Sequence, residues 1–353
     1  MPSRATKRII LDLGVLVALA ATLELALRVL APEYGHKIFD NKFTGSYPVD
    51  VNSDGYRGPA QPKEKPPGQL RILALGDSET FGTGVPSGQT WPAQLDRKMK
   101  ERHPGSVVIN GGFEGVGIRD LNVAWNEVWR DYSPDIVVVG LTANMVSLEL
   151  ARPEPLSFAN VVASHGDPPN RLSRLKLLIG REFHSIYTVG FISIFAQRAL
   201  YWSGLLDHRL TPKYLYGEVL AYGWSQGDIP PDLAGKAWDA LGEDLSKFSD
   251  QIRKTGARLV VVWMAPRFDL SNSWRDNEKN IPRERFTLDP VVKASAIVQR
   301  ADAKFIDSLP YLKQAREKSV AVGEYRALYV HFDAAHYDND GNNVVAQAIA
   351  DSL

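Results

Sequence analysis

The sequence contains no cysteine. That absence removes disulfides, thiolate metal sites and a cysteine nucleophile together. An excess of charge of one sign is missing too: Lys plus Arg total 41, and so do Asp plus Glu. With no net field and no long basic run, nucleic acid is not an expected partner. The seven histidines contain no HExxH pair, so a metal site has no support and no cofactor is expected. No internal repeat is visible. A chain of 353 residues, 44% apolar and 23% charged, matches an ordinary globular composition with room for one large domain or two smaller ones.

Long uninterrupted apolar runs are scarce, and the nearest approach to one is at the N-terminus. Arg4, Lys7 and Arg8 precede a mostly apolar run from Ile9 to Leu30, close to the ~20 residues a membrane-crossing helix needs. Asp12, Glu24 and Arg28 interrupt it. Glu24 and Arg28 are spaced to pair on one helix face, Arg28 has the reach to snorkel, and Pro32 ends the run. The reading is a basic cytoplasmic segment over 1–8 and a single-pass anchor over 9–31, with the remainder outside the cytoplasm, in the periplasm. Ala18-Leu19-Ala20 supports a second reading, a cleaved signal that releases a secreted protein. An interfacial helix is a third. Residues 32–69, rich in Pro, Gly and Lys, read as a juxtamembrane linker.

From Arg71 an alternation begins. Strands are expected at Arg71–Gly76, Ser106–Asn110, Asp135–Leu141, Arg258–Trp263 and Lys304–Asp307. Between them lie helical stretches at Thr90–Arg102, with Thr90 as N-cap, near Ile118–Arg130, across Leu233–Thr255 and near Pro290–Asp302. A last helix runs from about Gly341 to the end. Apolar strands alternating with helices imply a parallel sheet covered on both faces, with ligands beyond the carboxyl ends of the strands. The expected fold is therefore a three-layer α/β/α domain of about five parallel strands over 70–353. Residues 152–231 break the alternation and read as a helical insertion, with the aromatic stretch Ser185–Leu206 packed over the edge of the site.

The candidate chemistry sits at two places. Gly76-Asp77-Ser78-Glu79-Thr80 follows the first strand, where a sharp turn can present a serine hydroxyl above the sheet and aim its N–H at an oxyanion. A nucleophilic serine needs a base and the base an orienter. Asp333-Ala334-Ala335-His336, just before the last helix, has the spacing for an aspartate to reach one imidazole nitrogen and leave the other for Ser78. Taken alone, Asp333 and Asp338 also fit turn or capping residues and His336 a surface histidine. His331 reads as structural.

These blocks resemble those of the SGNH/GDSL hydrolases, a flavodoxin-like fold family of serine esterases and lipases. Gly-Asp-Ser after the first strand and Asp-x-x-His before the last helix are its outer blocks. The resemblance also assigns Gly115, in Asn110–Gly115, to the second-block glycine and Asn144, in Gly140–Asn144, to the third-block asparagine. It implies catalysis by Ser78, His336 and Asp333, with an oxyanion hole made by Ser78, Gly115 and Asn144. Asn52–Arg57 looks like a segment that precedes the domain in a membrane-anchored bacterial branch. Two departures stand out: the aspartate that usually follows the asparagine is replaced by Met145, and the Leu or Phe usual after the serine is replaced by Glu79. The side chain of Glu79 is expected to face solvent.

The implied function is hydrolysis of esters through an acyl-serine, on O-acetyl groups of envelope carbohydrate or on lipid and small acyl esters. An O-acyltransferase of the same fold and a non-catalytic glycan-binding envelope protein are the alternatives.

Overall fold

The computed structural model describes residues 4–30, 51–152, 154–164, 221–223, 232–270, 286–322, 328–330 and 335–353. The chain divides into two compact units, Met1–Ser46 with Asp167–Leu210 and Tyr47–Gly166 with Thr211–Leu353. In the first, Arg4–Leu30 forms one helix, α1. The helical part of the N-terminal expectation is met. Among the described residues no helix is long and apolar enough to span a membrane.

The second unit is built on five parallel strands in the order β2-β1-β3-β4-β5, the order of flavodoxin-like doubly wound sheets. They are β1 (Arg71–Gly76), β2 (Val107–Gly112), β3 (Ile136–Leu141), β4 (Arg258–Trp263) and β5 (Lys304–Asp307). Every residue of β1 and β3 is buried, which is why these strands read as continuous apolar runs rather than alternating ones. Two groups of helices cover the faces. One comprises α3 (Trp91–Arg102), α9 (Leu309–Ala321) and α10 (Asn339–Ser352). The other comprises α4 (Ile118–Glu127), α5 (Ala143–Ala151), α7 (Leu233–Lys254) and α8 (Pro290–Arg300). The short helix α2 (Ser78–Phe81) lies at the end of β1, and α6 (Phe158–Ser164) packs on α4.

The α/β expectation holds, and local chemistry explains the boundaries. Thr90 caps α3 by accepting from Ala93 N, and Asp289 caps α8 by accepting from Val291 N. Strand β2 runs two residues past its expected end, because Gly111 and Gly112 pair in register with Leu75 and Gly76. The part of the expected linker at 51–69 contributes to the second unit: Tyr56 is buried with its ring edge on Trp129 and Tyr132. The expected insertion at 152–231, including Ser185–Leu206, lies mostly outside the described residues.

Facing helices of the second group bury a charged cluster. Arg119 on α4 lies 2.5 Å from Asp244 on α7 and 3.1 Å from Glu149 on α5. Burial pushes the Glu149 carboxyl up to about 7, with Arg119 opposing the shift. Because the folded protein holds this proton more tightly than the unfolded chain, the contribution is fully present below the ordinary value near 4.5. It is lost as the pH rises through about 7. Glu149→Gln leaves Arg119 its Asp244 partner and removes the titration. Urea unfolding at pH 5 and pH 8.5 should show wild type losing on the order of 2–3 kcal/mol more than the variant between the two. Equal losses would contradict this account of Glu149.

Candidate functional site

The carboxyl ends of β1, β2 and β3 form one rim. Gly76 is in register with Gly112 on one side and Gly140 on the other. Ser78, Gly115 and Asn144 follow those three glycines within a few residues. Strand order reverses at β1, so its carboxyl end is the switch point where a crevice opens in sheets of this kind.

The glycines are needed for close approach. A Cβ on Gly76 or Gly140 would collide with the Thr80 side chain, and one on Gly112 with the backbone of Thr80 and Phe81. Three bare strand ends thus form a floor on which α2 sits, and Gly76 also adopts φ +149°, which L side chains resist. The turn is tied from within. Asp77 caps α2, its carboxylate facing Glu79 N, while Thr142 Oγ1 donates to Asp77 Oδ2 across 2.6 Å. Asp77 is fully buried, and burial, reinforced by the charge of Glu79, pushes its carboxyl well above the usual range.

On the far side of the turn stands a residue that sequence reading left without a role. Arg57 is 4% exposed. Its guanidinium donates to the carbonyls of Phe81, Gly82 and Val85 at 2.8, 2.7 and 2.6 Å and to Ser87 Oγ at 2.9 Å. It also lies over the Phe81 ring. Its backbone bridges Asn110 on β2. The carbonyls at the end of a helix and in the following turn lack intrahelical donors, and Arg57 supplies them. The only signal in the sequence was the Asn52–Arg57 pattern itself.

The other half of the site comes from the C-terminus. Tyr329 and Tyr337 form an antiparallel bridge, their tilted rings lie with centroids 4.8 Å apart, and both donate to Ala265 O beyond β4. Val330 N donates to His336 O at 2.8 Å. Asp338 caps α10 by accepting from Gly341 N. Asn342 donates to the carbonyls of Tyr337 and Asp338 and accepts from Trp91 N at the start of α3. The segment is therefore pinned to the sheet and to the helix that follows the serine turn.

The result is a hydrogen bond of 2.8 Å between His336 Nε2 and Ser78 Oγ, across 258 residues of sequence. Both side chains are half-buried. Ser78 Oγ has a second partner, Glu79 Oε2, at 3.1 Å. Glu79 is 6% exposed, so the expectation that it faces solvent is corrected: the turn of α2 folds its carboxylate back beside the serine. Gly115 lies in the loop after β2 at φ +68°, its carbonyl accepting from Arg152. Asn144 is in the first turn of α5, exposed, its carbonyl accepting from Ser147 Oγ. Asp333 and His331 lie outside the described residues. Among the described residues no group of His, Asp and Glu side chains has the arrangement of a metal site.

Replacing Arg57 by Ala leaves buried carbonyls without donors, at ~1–3 kcal/mol for each. Thermal unfolding should show Arg57→Ala clearly destabilised, with Arg57→Lys intermediate because an ammonium lacks the planar fork. Wild-type stability in the alanine variant would remove Arg57 from the support of this turn.

No protein-family model matches the chain, and no curated protein matches it. Solved structures do. An acetyl xylan esterase, AlAXEase, is 13% identical over 80% of this chain and 100% of its own, with a TM-score of 0.44. A catalytic mutant of Axe2, an acetylxylan esterase from Geobacillus stearothermophilus, is 12% identical over 79% and 92%, with a TM-score of 0.41. TesA is 12% identical over 80% and 98%, also at 0.41.

Proposed function

We propose that the chain is a serine ester hydrolase, with Ser78 the nucleophile and His336 its base. The observation that carries the reading is the 2.8 Å contact between Ser78 Oγ and His336 Nε2 at the rim of the sheet. It has the donor–acceptor geometry of an activated nucleophile. A serine–imidazole pair at the carboxyl end of β1, on a turn held by Asp77, Thr142 and Arg57, is a costly arrangement to build for packing alone.

In the proposed reaction His336 Nε2 takes the Ser78 proton as Oγ attacks the ester carbonyl. The carbonyl π electrons move to oxygen, and the tetrahedral oxyanion forms. The N–H groups of Ser78 and Gly115 and the side-chain amide of Asn144 are the donors assigned to it by the family resemblance. Collapse expels the alcohol, which takes the proton from His336, and leaves an acyl-serine. Water, deprotonated by His336, then releases the acid. Asp333 is proposed as the residue that orients the imidazole. Within the reading, the substrates are O-acyl esters, with acetyl groups on carbohydrate as the favoured class and lipid or small acyl esters as the alternative.

The test is hydrolysis of p-nitrophenyl acetate and of an acetylated oligosaccharide by wild type and His336→Ala. Loss of the base should lower turnover by roughly 10⁴-fold, with the far-UV spectrum and melting temperature retained. A folded His336→Ala protein with wild-type turnover would remove His336 from the mechanism.

A further inference from the structure

The Ser78 hydroxyl has one proton and two neighbouring acceptors. His336 Nε2 is 2.8 Å from Oγ and Glu79 Oε2 is 3.1 Å from it. Glu79 is nearly inaccessible to solvent, so its carboxylate is held against the nucleophile rather than swinging past it. We infer that Glu79 is a second hydrogen-bond acceptor on the nucleophile, a catalytic residue that competes with His336 for the Ser78 proton and favours the imidazolium form of the base. The inference rests on the serine-hydrolase reading above.

Two arrangements satisfy the donors. With Nε2 unprotonated, the Ser78 O–H donates to it, and the hydroxyl is poised for attack. With Nε2 protonated, the imidazolium N–H donates to Oγ and the Ser78 O–H turns to Glu79 Oε2. The second arrangement is a chain of cation, hydroxyl and carboxylate in which each donor has an acceptor. An anion one hydroxyl away favours the protonated base. During attack the bond from Oγ to the carbonyl carbon forms, the O–H bond breaks and its proton passes to Nε2. The cation that appears is the species Glu79 favours. One carboxylate therefore acts differently on either side of the base's titration. At low pH it holds the hydroxyl in the unproductive direction; at high pH it lowers the cost of making the imidazolium.

Other titratable groups face the pair. Asp77 bears on both Glu79 and His336, but burial first and the Glu79 charge second push its carboxyl well above the usual range, and Thr142 donates to it. Tyr337 also faces Glu79 and is pushed up, mainly by burial, so it stays neutral. The Asp338 carboxylate is engaged at the start of α10. Asp333, assigned as orienter by resemblance, lies outside the described residues.

The experiment is the pH profile of kcat/KM for p-nitrophenyl acetate with wild type, Glu79→Gln and Glu79→Leu, each checked for folding by its melting curve. Leu is a side chain common at this position in the resembling family, so it guards against a glutamine variant that fails to fold. The acidic limb should move to lower pH by ~0.5–1 unit and the plateau should fall ~3–10-fold, so that the curves nearly coincide on the acidic limb and separate at high pH. A purely packing role lowers kcat/KM by one factor at every pH with the limb in place, and that result overturns the inference. An unchanged profile does the same. Labelling of wild type by a fluorophosphonate, run alongside, separates the two layers. An unlabelled Ser78 defeats the hydrolase reading itself, whereas a labelled Ser78 with an unmoved limb defeats only the role of Glu79.

Discussion

A hydrogen bond between a hydroxyl on the first strand's turn and an imidazole near the chain's end can persist only if both backbones are fixed. Each residue is half-buried; Ser78 opens the single turn of α2 and His336 lies in irregular structure, so no long helix or strand holds either directly. The serine turn is fixed from three sides, by bare strand ends beneath Thr80, by the Asp77–Thr142 pair and by the guanidinium of Arg57. The histidine segment is fixed by two tyrosines that share the carbonyl of Ala265 and by Asn342, which links α10 to α3. Stability and reactivity are thus joined: the carbonyls that Arg57 satisfies belong to the turn that aims the nucleophile.

The same economy explains the burial of acidic groups. Asp77 is tolerated because Thr142 and the Glu79 backbone meet its carboxylate and because it holds its proton more tightly than an exposed aspartate. Glu149, on α5, is tolerated through Arg119. In each case the cost of burying a carboxylate is offset locally. Only at Glu79 does the compensating partner include the nucleophile.

Much of this was legible in the sequence. The central strands announce themselves because both faces of a parallel sheet are buried there, and the runs RILALG, RLVVVW and KFID coincide with β1, β4 and β5. The Ser78–His336 pairing was legible as two motifs, not as a distance. Helices α2, α5 and α9 were not foreseen. The first is a single turn that starts inside the Gly-Asp-Ser motif, and a short, polar-capped helix gives little periodicity to read. Arg57 was missed because most of its partners are backbone carbonyls, which leave no trace in side-chain pattern. The side chain of Glu79 was misplaced because a charged residue beside a loop motif ordinarily faces water, and only the fold of α2 turns it inward. The N-terminal run is helical, as its composition suggested.

The most direct measurement is intact mass followed by peptide mapping after exposure to a fluorophosphonate at neutral pH. The account predicts one phosphonyl group per chain, located on the peptide that contains Ser78 and absent from a folded Ser78→Ala protein. A folded wild-type protein that takes no adduct, or an adduct that persists when Ser78 is replaced, would contradict it.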